Sequence, residues 1–122
     1  MTTIELTGEN FKEAVSGGDI ALVDFWAAWC GPCRRFAPVF ERFSDRHPDV
    51  VFGKVDTEAQ PALAQAFQIT SIPAVVAIRD KVVLYAKPGP LSEQALGDLL
   101  ARARALDTDQ ARRDLAERNA RA

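Results

Sequence analysis

Two cysteines, Cys30 and Cys33, lie three positions apart in the segment Trp-Cys-Gly-Pro-Cys, between an apolar run and an amphipathic pattern. This spacing can bring their Cα atoms within the roughly 4.4 to 6.8 Å that a disulfide requires. Pro32 fits the first position of a helix, where free N–H groups and the helix dipole would favour a Cys30 thiolate. The pattern predicts thiol–disulfide exchange in which Cys30, nearer the exposed loop, attacks and the deeper Cys33 resolves. Two unrelated buried cysteines are the alternative interpretation, because free cysteine is often buried.

One acidic residue, Asp24, interrupts the apolar run that precedes the cysteines. Its neighbours on both sides are apolar: Leu22, Val23, Phe25 and Trp26. A carboxyl group in such a strand is expected to be buried, where the loss of hydration raises its pKa. The alternative is an acid at a strand end that reaches solvent.

Composition excludes several classes of function. The 122 residues suffice for one domain and a short appendage, at the usual roughly 100 to 200 residues per domain. Fifteen Lys and Arg against seventeen Asp and Glu give a net charge of −2, so we expect no nucleic-acid partner. Two cysteines and the single His47 are too few for a closed four-ligand zinc site.

The start of the chain does not resemble a secretory signal, and no stretch approaches the roughly 20 apolar residues that cross a bilayer. We therefore expect a cytoplasmic protein without membrane contact, whose cysteines rest reduced.

The apolar pattern changes its period several times along the chain, as in a mixed α/β protein. It predicts strands at 4–6, 20–26, 50–56, 74–78 and 81–86, and helices at 11–16, 32–46, 61–67 and 96–106. This β-α-β-α-β-α-β-β-α order indicates a central mixed sheet with helices on both faces. Asn10 is the predicted N-cap of the first helix, and Pro38 predicts a kink in the second.

The last sixteen residues differ in composition from the rest. Four acids and four arginines surround Leu115, the one large apolar residue of this segment. Such a segment can bury little apolar surface. We therefore divide the chain into a domain at 1–106 and a charged tail at 107–122, solvated or partly helical. A helix that docks on a partner is the alternative for the tail.

The stretch 22–33, Leu-Val-Asp-Phe-Trp-Ala-Ala-Trp-Cys-Gly-Pro-Cys, resembles the active-site segment of the thioredoxin family. Further matches follow in the family's order at Pro38, 54–56, 71–73 and Gly89, so the resemblance covers about residues 4–106. It implies a thioredoxin fold and a monomeric protein disulfide reductase that carries no cofactor. Its implied partners are oxidised protein substrates and an NADPH-dependent flavoprotein, thioredoxin reductase, that recharges it.

The resemblance also implies roles for residues beside the cysteines. Asp24 would assist proton transfer at the buried thiol of Cys33, and Lys54 would partly offset the negative charge of Asp24. The alternative for Lys54 is a strand lysine whose side chain reaches solvent. Base rates favour a trans bond before Pro73, but the matching family proline is cis and packs against the disulfide. The backbone before it can pair with an extended substrate. An apolar contact surface would be rimmed by Trp29, Gly31, Pro32, Ile72, Gly89 and Pro90.

Three departures from the family pattern bear on specificity and turn geometry. Ala74 stands where a threonine is common, and Ala28 replaces a usually polar residue. The segment 79–81, which links the last two predicted strands as a hairpin, lacks the glycine often found there.

Two other functions stay open beside reduction: a disulfide-forming oxidase or isomerase, and a binding module or holdase that uses the same surface without turnover.

Overall fold

The computed structural model describes residues 2–106 together with Arg113, Ala116 and Glu117. In chain order the described elements are β1 (Thr3–Glu5), α1 (Phe11–Val15), β2 (Ile20–Trp26), α2 (Gly31–Asp45), β3 (Val51–Asp56), α3 (Pro61–Ala66), β4 (Ala74–Arg79), β5 (Val82–Pro88) and α4 (Glu93–Ala105). The strands form one sheet in the order β1-β3-β2-β4-β5. β3 runs parallel to β1 and β2, whereas β4 runs antiparallel to β2 and β5. The predicted order of elements and the mixed sheet are confirmed, with most boundaries shifted by one or two residues.

Apolar side chains cover both faces of the sheet, because successive side chains of β2 point to opposite faces. Leu22 faces a layer built with α2 and α4, which includes Phe36, Phe40, Phe43, Leu96, Leu99 and Leu100. Val23 and Phe25 face the opposite layer, built with α1 and α3. Each fully buried side chain of this size stabilises the fold by roughly 1.5 to 3 kcal/mol. Asp24, two positions after Leu22, therefore points to the face that α2 covers.

Asn10 is the N-cap residue of α1, as predicted, but without the side-chain hydrogen bond that the prediction assumed. Its Oδ1 accepts from the Thr7 N–H at 2.7 Å, and its Nδ2 donates to the Glu5 carbonyl at 3.0 Å. The side chain thus stabilises the turn before the helix, a local bond that competes with capping.

The hairpin between β4 and β5 turns on Asp80 and Lys81, so Lys81 belongs to the turn and not to the predicted strand. Their φ angles are 47° and 71°, which is the left-handed pair that a two-residue hairpin turn needs. Residues other than glycine adopt this conformation at a cost in free energy, because their Cβ atom crowds the backbone. The register of the hairpin shifts between Ala77 and Ile78.

Residues 107–122 lie mostly outside the described part of the chain, so the predicted domain boundary and the nature of the tail stay predictions. Arg113, Ala116 and Glu117 are helical. Among the helices of the described residues, none combines the length and apolar character that spanning a membrane would require.

Candidate active site

The start of α2 holds the two cysteines together. Cys30 is the N-cap, with an extended backbone, and its Sγ accepts a hydrogen bond from the Cys33 N–H at 3.1 Å. Pro32 occupies the second helical position rather than the predicted first, because Gly31 opens the helix. Cys30 and Cys33 form a disulfide with their Cα atoms 5.2 Å apart. The pairing is therefore a disulfide at a helix N-terminus, where a backbone donor of the first turn faces the first sulfur.

The exposed fractions of the two cysteines are nearly equal, whereas the sequence suggested a more exposed Cys30 and a deeper Cys33. Cys30 is 4% exposed and Cys33 is 2% exposed. The difference between them lies instead in hydrogen bonding. Cys30 Sγ receives the N–H of Cys33 and also lies 3.8 Å from the carbonyl oxygen of Ile72. Any assignment of attacker and resolver must therefore rest on these contacts.

A loop with a cis peptide bond faces the disulfide. The bond between Ile72 and Pro73 is cis, and Ile72 packs against a cluster formed by the two cysteines and Ala27. The Pro73 carbonyl accepts from the Gly89 N–H at 2.7 Å. Gly89 has φ +110°, a conformation that glycine adopts without a steric penalty. This bond joins the loop before α4 to the loop before β4.

Ala74, one of the departures from the family pattern, lies directly after this loop. It is buried and opens β4, where its register partners are Phe25 on β2 and Pro88 on β5. Ala28, another departure, is exposed. Its carbonyl accepts a hydrogen bond from Arg34 Nη1 at 2.8 Å, so the backbone of Ala28, not its side chain, makes this contact.

One exposed aromatic residue, Trp29, stands beside the disulfide. It is 67% exposed, and its indole Nε1 donates to Glu58 Oε1 at 2.7 Å. Glu58 was not predicted from the sequence. A signal for it was nevertheless present, because Trp26 and Asp56 end two neighbouring parallel strands as register partners. The loops that follow those strands leave the sheet at the same edge and bring Trp29 and Glu58 together.

Asp24 is fully buried, and neither of its carboxyl oxygens has a hydrogen-bond partner among the described residues. Burial raises the pKa of Asp24 from its usual 3.8 to about 7, while the positive charge of Lys54 acts in the opposite direction. Lys54 is the register partner of Asp24 on β3, and its Nζ lies 5.3 Å from the centre of the Trp26 ring. The carboxyl group can therefore hold or release a proton near neutral pH.

No group of three or more His, Cys, Asp or Glu in the described residues could hold a metal ion.

Comparison with known proteins places this arrangement in a family. The family model for thioredoxin matches residues 2–102. The chain belongs to the thioredoxin family. Its fold is the thioredoxin fold, and its Cys30–Cys33 pair is the redox-active centre of a disulfide oxidoreductase of that family.

Individual thioredoxins are similar along most of the chain. A protein described as putative thioredoxin 2 from Streptomyces coelicolor is 53% identical over 121 residues, which cover 99% of this chain and 90% of that protein. That alignment reaches into 107–122, beyond the family model. A thioredoxin from Alicyclobacillus acidocaldarius is 40% identical over 103 residues, covering 80% of this chain and 98% of its own. Among solved structures, a mutant thioredoxin from Halobacterium salinarum NRC-1 matches with a TM-score of 0.79 at 30% identity, covering 85% of this chain and 92% of its own.

Proposed function

We propose that the protein reduces disulfides in other proteins, with its own Cys30 and Cys33 thiols as the electron donors. The observation that carries the proposal is the Cys33 N–H, which donates to Cys30 Sγ at 3.1 Å at the start of α2. In the reduced protein, this N–H and the positive end of the helix dipole would stabilise a Cys30 thiolate. A thiolate is the form of cysteine that attacks a disulfide.

The reaction then proceeds in two exchanges. The Cys30 thiolate attacks one sulfur of the target disulfide, the target S–S bond breaks, and the first target thiolate leaves and takes up a proton. A mixed disulfide now joins Cys30 to the target. The Cys33 thiolate attacks the Cys30 sulfur, the mixed disulfide breaks as the internal disulfide forms, and the second target thiolate leaves and takes up a proton. Counted from the Cys30 and Cys33 thiols, the protein loses two electrons and two protons, and the target gains the same number of each.

Asp24 is proposed to accept the Cys33 proton before the second exchange. It lies on the sheet face that α2 covers, and burial raises its pKa to about 7. A base performs best when its pKa is near the working pH. Lys54, beside it on β3, is proposed as a positioning residue that keeps this pKa from rising further.

The substrate is proposed to lie across Trp29, Gly31, Pro32, Ile72, Pro73, Gly89 and Pro90. One contact and one unused backbone donor support this surface. Cys30 Sγ lies 3.8 Å from the Ile72 carbonyl, so a target sulfur attacked by Cys30 comes close to the Ile72 backbone. The Ile72 N–H donates to no backbone acceptor among the described residues. An extended target segment can therefore pair with this residue as an added strand.

We further propose that an NADPH-dependent flavoprotein, thioredoxin reductase, returns two electrons to the oxidised pair, and that the protein works as a monomer in the cytoplasm. The support is the family membership, because a reductase must be recharged in a reducing compartment. No cofactor is part of the proposed reaction, since both exchanges take place between sulfur atoms.

The test is catalysis of insulin reduction in the presence of dithiothreitol, together with the reduction potential of the Cys30–Cys33 pair. We expect faster reduction than with dithiothreitol alone, and a potential at or below that of the cytosolic glutathione couple. The matched control, with both cysteines changed to serine, should not accelerate the reaction. A much more oxidising potential would indicate a disulfide-forming oxidase. Binding of substrate proteins without any turnover would indicate a binding module.

A further inference from the structure

A shallow groove lies beside the disulfide, between the first turns of α2 and the loop before α4. Its volume is about 230 Å³, and Pro32, Phe36, Val39, Pro90 and Leu91 contribute apolar walls. Arg35 is the one charged residue among the described residues that line it. Because Pro32 lies between the two cysteines in the chain, a segment bound at the disulfide can reach this groove.

Arg35 extends back toward the cysteine loop. Its Nη1 lies 3.4 Å from the point where a Cβ on residue 31 would stand, so the absence of a side chain at Gly31 leaves room for the guanidinium group. Gly31 directly follows Cys30. The positive charge of Arg35 thus stands beside the residue that follows the cysteine proposed to attack, at the edge of the groove.

This guanidinium group makes no hydrogen bond or ion pair within the described residues, in contrast to the other arginines of α2 and to Arg46 at its C-cap. Arg34 donates to the Ala28 carbonyl at 2.8 Å. Arg42 and Arg46 both bind Glu93, at 3.1 and 3.0 Å. Arg35 is therefore the arginine of this helix whose charge is available to a bound segment.

We propose that Arg35 selects target proteins in which an Asp or Glu side chain lies within about three residues of the cysteine that Cys30 attacks. The planar guanidinium group pairs with a carboxylate through two parallel hydrogen bonds. The net charge of the chain is −2, so the preference must come from the local charge and not from the whole protein. On the other side of Cys30 in the chain, Trp29 is bound to Glu58, and that carboxylate would repel an acidic side chain. This inference rests on the proposed reductase function.

The test uses short cyclic peptide disulfides that differ in one residue, Glu or Gln, scanned over three positions on each side of the attacked cysteine. The reduced protein, freed of small thiols, is mixed with peptide, and the reduced peptide is measured by mass spectrometry after an acid quench. Each peptide that is reduced gains two electrons from one protein molecule, whose two thiols become a disulfide. The ratio of the second-order rate constants for the Glu and Gln peptides measures the effect of the carboxylate charge.

We expect the Glu peptide to react about two to five times faster than the Gln peptide at the favoured position. This factor corresponds to the small free energy that an exposed ion pair contributes. Arg35→Gln should bring this ratio to about 1 and Arg35→Glu should invert it, whereas Arg35→Lys should keep part of it. The control is Arg102→Gln, an exposed arginine on α4, which should leave the ratio unchanged. Higher salt should reduce the ratio.

Equal rates for the two peptides with the unmodified protein would overturn the proposal, as would a preference that survives Arg35→Gln or that falls equally in Arg102→Gln. These outcomes are separable from a failure of the reductase function. If that function fails, neither peptide is reduced. If only the role of Arg35 fails, both are reduced without the predicted preference.

Discussion

Replacing Asp24 with Asn should stabilise the folded protein strongly at neutral and alkaline pH. The carboxyl group is fully buried without a hydrogen-bond partner among the described residues, and burial raises its pKa from 3.8 to about 7. Between these two values the folded state keeps a proton that the unfolded state has released. Stability therefore falls as the pH rises through this window and stays low above it.

The size of the effect follows from the two pKa values. They differ by about three, and each unit corresponds to about 1.4 kcal/mol, so the carboxyl group opposes folding by on the order of 4 kcal/mol at pH 8. Asparagine has a similar shape and no charge to bury. Asp24→Asn should therefore raise the free energy of unfolding by on the order of 4 kcal/mol at pH 8 and by much less near pH 4.

The assay is urea unfolding of the oxidised protein, followed by circular dichroism at several pH values between about 4 and 8.5. Asp98→Asn is the matched control, because Asp98 is an exposed carboxyl group on α4. It should leave the pH dependence close to that of the unmodified protein. If Asp24→Asn gave the same stability and pH dependence as the unmodified protein, the carboxyl group would be hydrated or compensated and the reasoning from burial would fail. The same variant should slow disulfide exchange, because asparagine cannot accept the Cys33 proton.

Further substitutions and a truncation probe the site and the fold. Cys30→Ser should abolish reduction, whereas Cys33→Ser should still attack and accumulate mixed disulfides, visible as adducts on non-reducing gels; adducts on Cys30→Ser instead would reverse the two roles. Lys81→Gly should stabilise the hairpin by about 0.5 to 1 kcal/mol in urea unfolding, because glycine adopts the positive φ of this turn without a steric penalty; a gain of the same size in Lys81→Ala would point to charge and not to backbone conformation. Removing 107–122 should leave the melting temperature and insulin reduction nearly unchanged, since Leu115 is the segment's one large apolar residue; a marked loss of stability would show that the tail packs on the domain.

The order of elements was predictable because each apolar period belongs to one kind of element. The apolar run at 20–26, interrupted by Asp24 alone, indicated a strand buried on both faces, and the structure has β2 (Ile20–Trp26) at the centre of the sheet. The same run made the burial of Asp24 an expectation. Local bonds were less predictable, since Asn10 can cap a helix or stabilise a turn with the same atoms.

Contacts between distant parts of the chain could not be predicted from local patterns. Arg79 Nη1 donates to the carbonyls of Ala103 and Arg104 at the end of α4, each at 2.6 Å. That contact depends on how α4 packs on the sheet, which no short segment specifies. Arg35 was missed for a similar reason, because its position matters only beside Gly31 and the loop before α4.

The most direct test of the central claim is a stoichiometric electron transfer without any recharging reductant. The fully reduced protein, freed of small thiols, is mixed with excess insulin, and thiols are counted separately on the two proteins after an acid quench. Disulfide reduction by the Cys30–Cys33 pair predicts that each protein molecule loses two thiols and that insulin gains two. Insulin that gains no thiols while the protein keeps its own would contradict the claim.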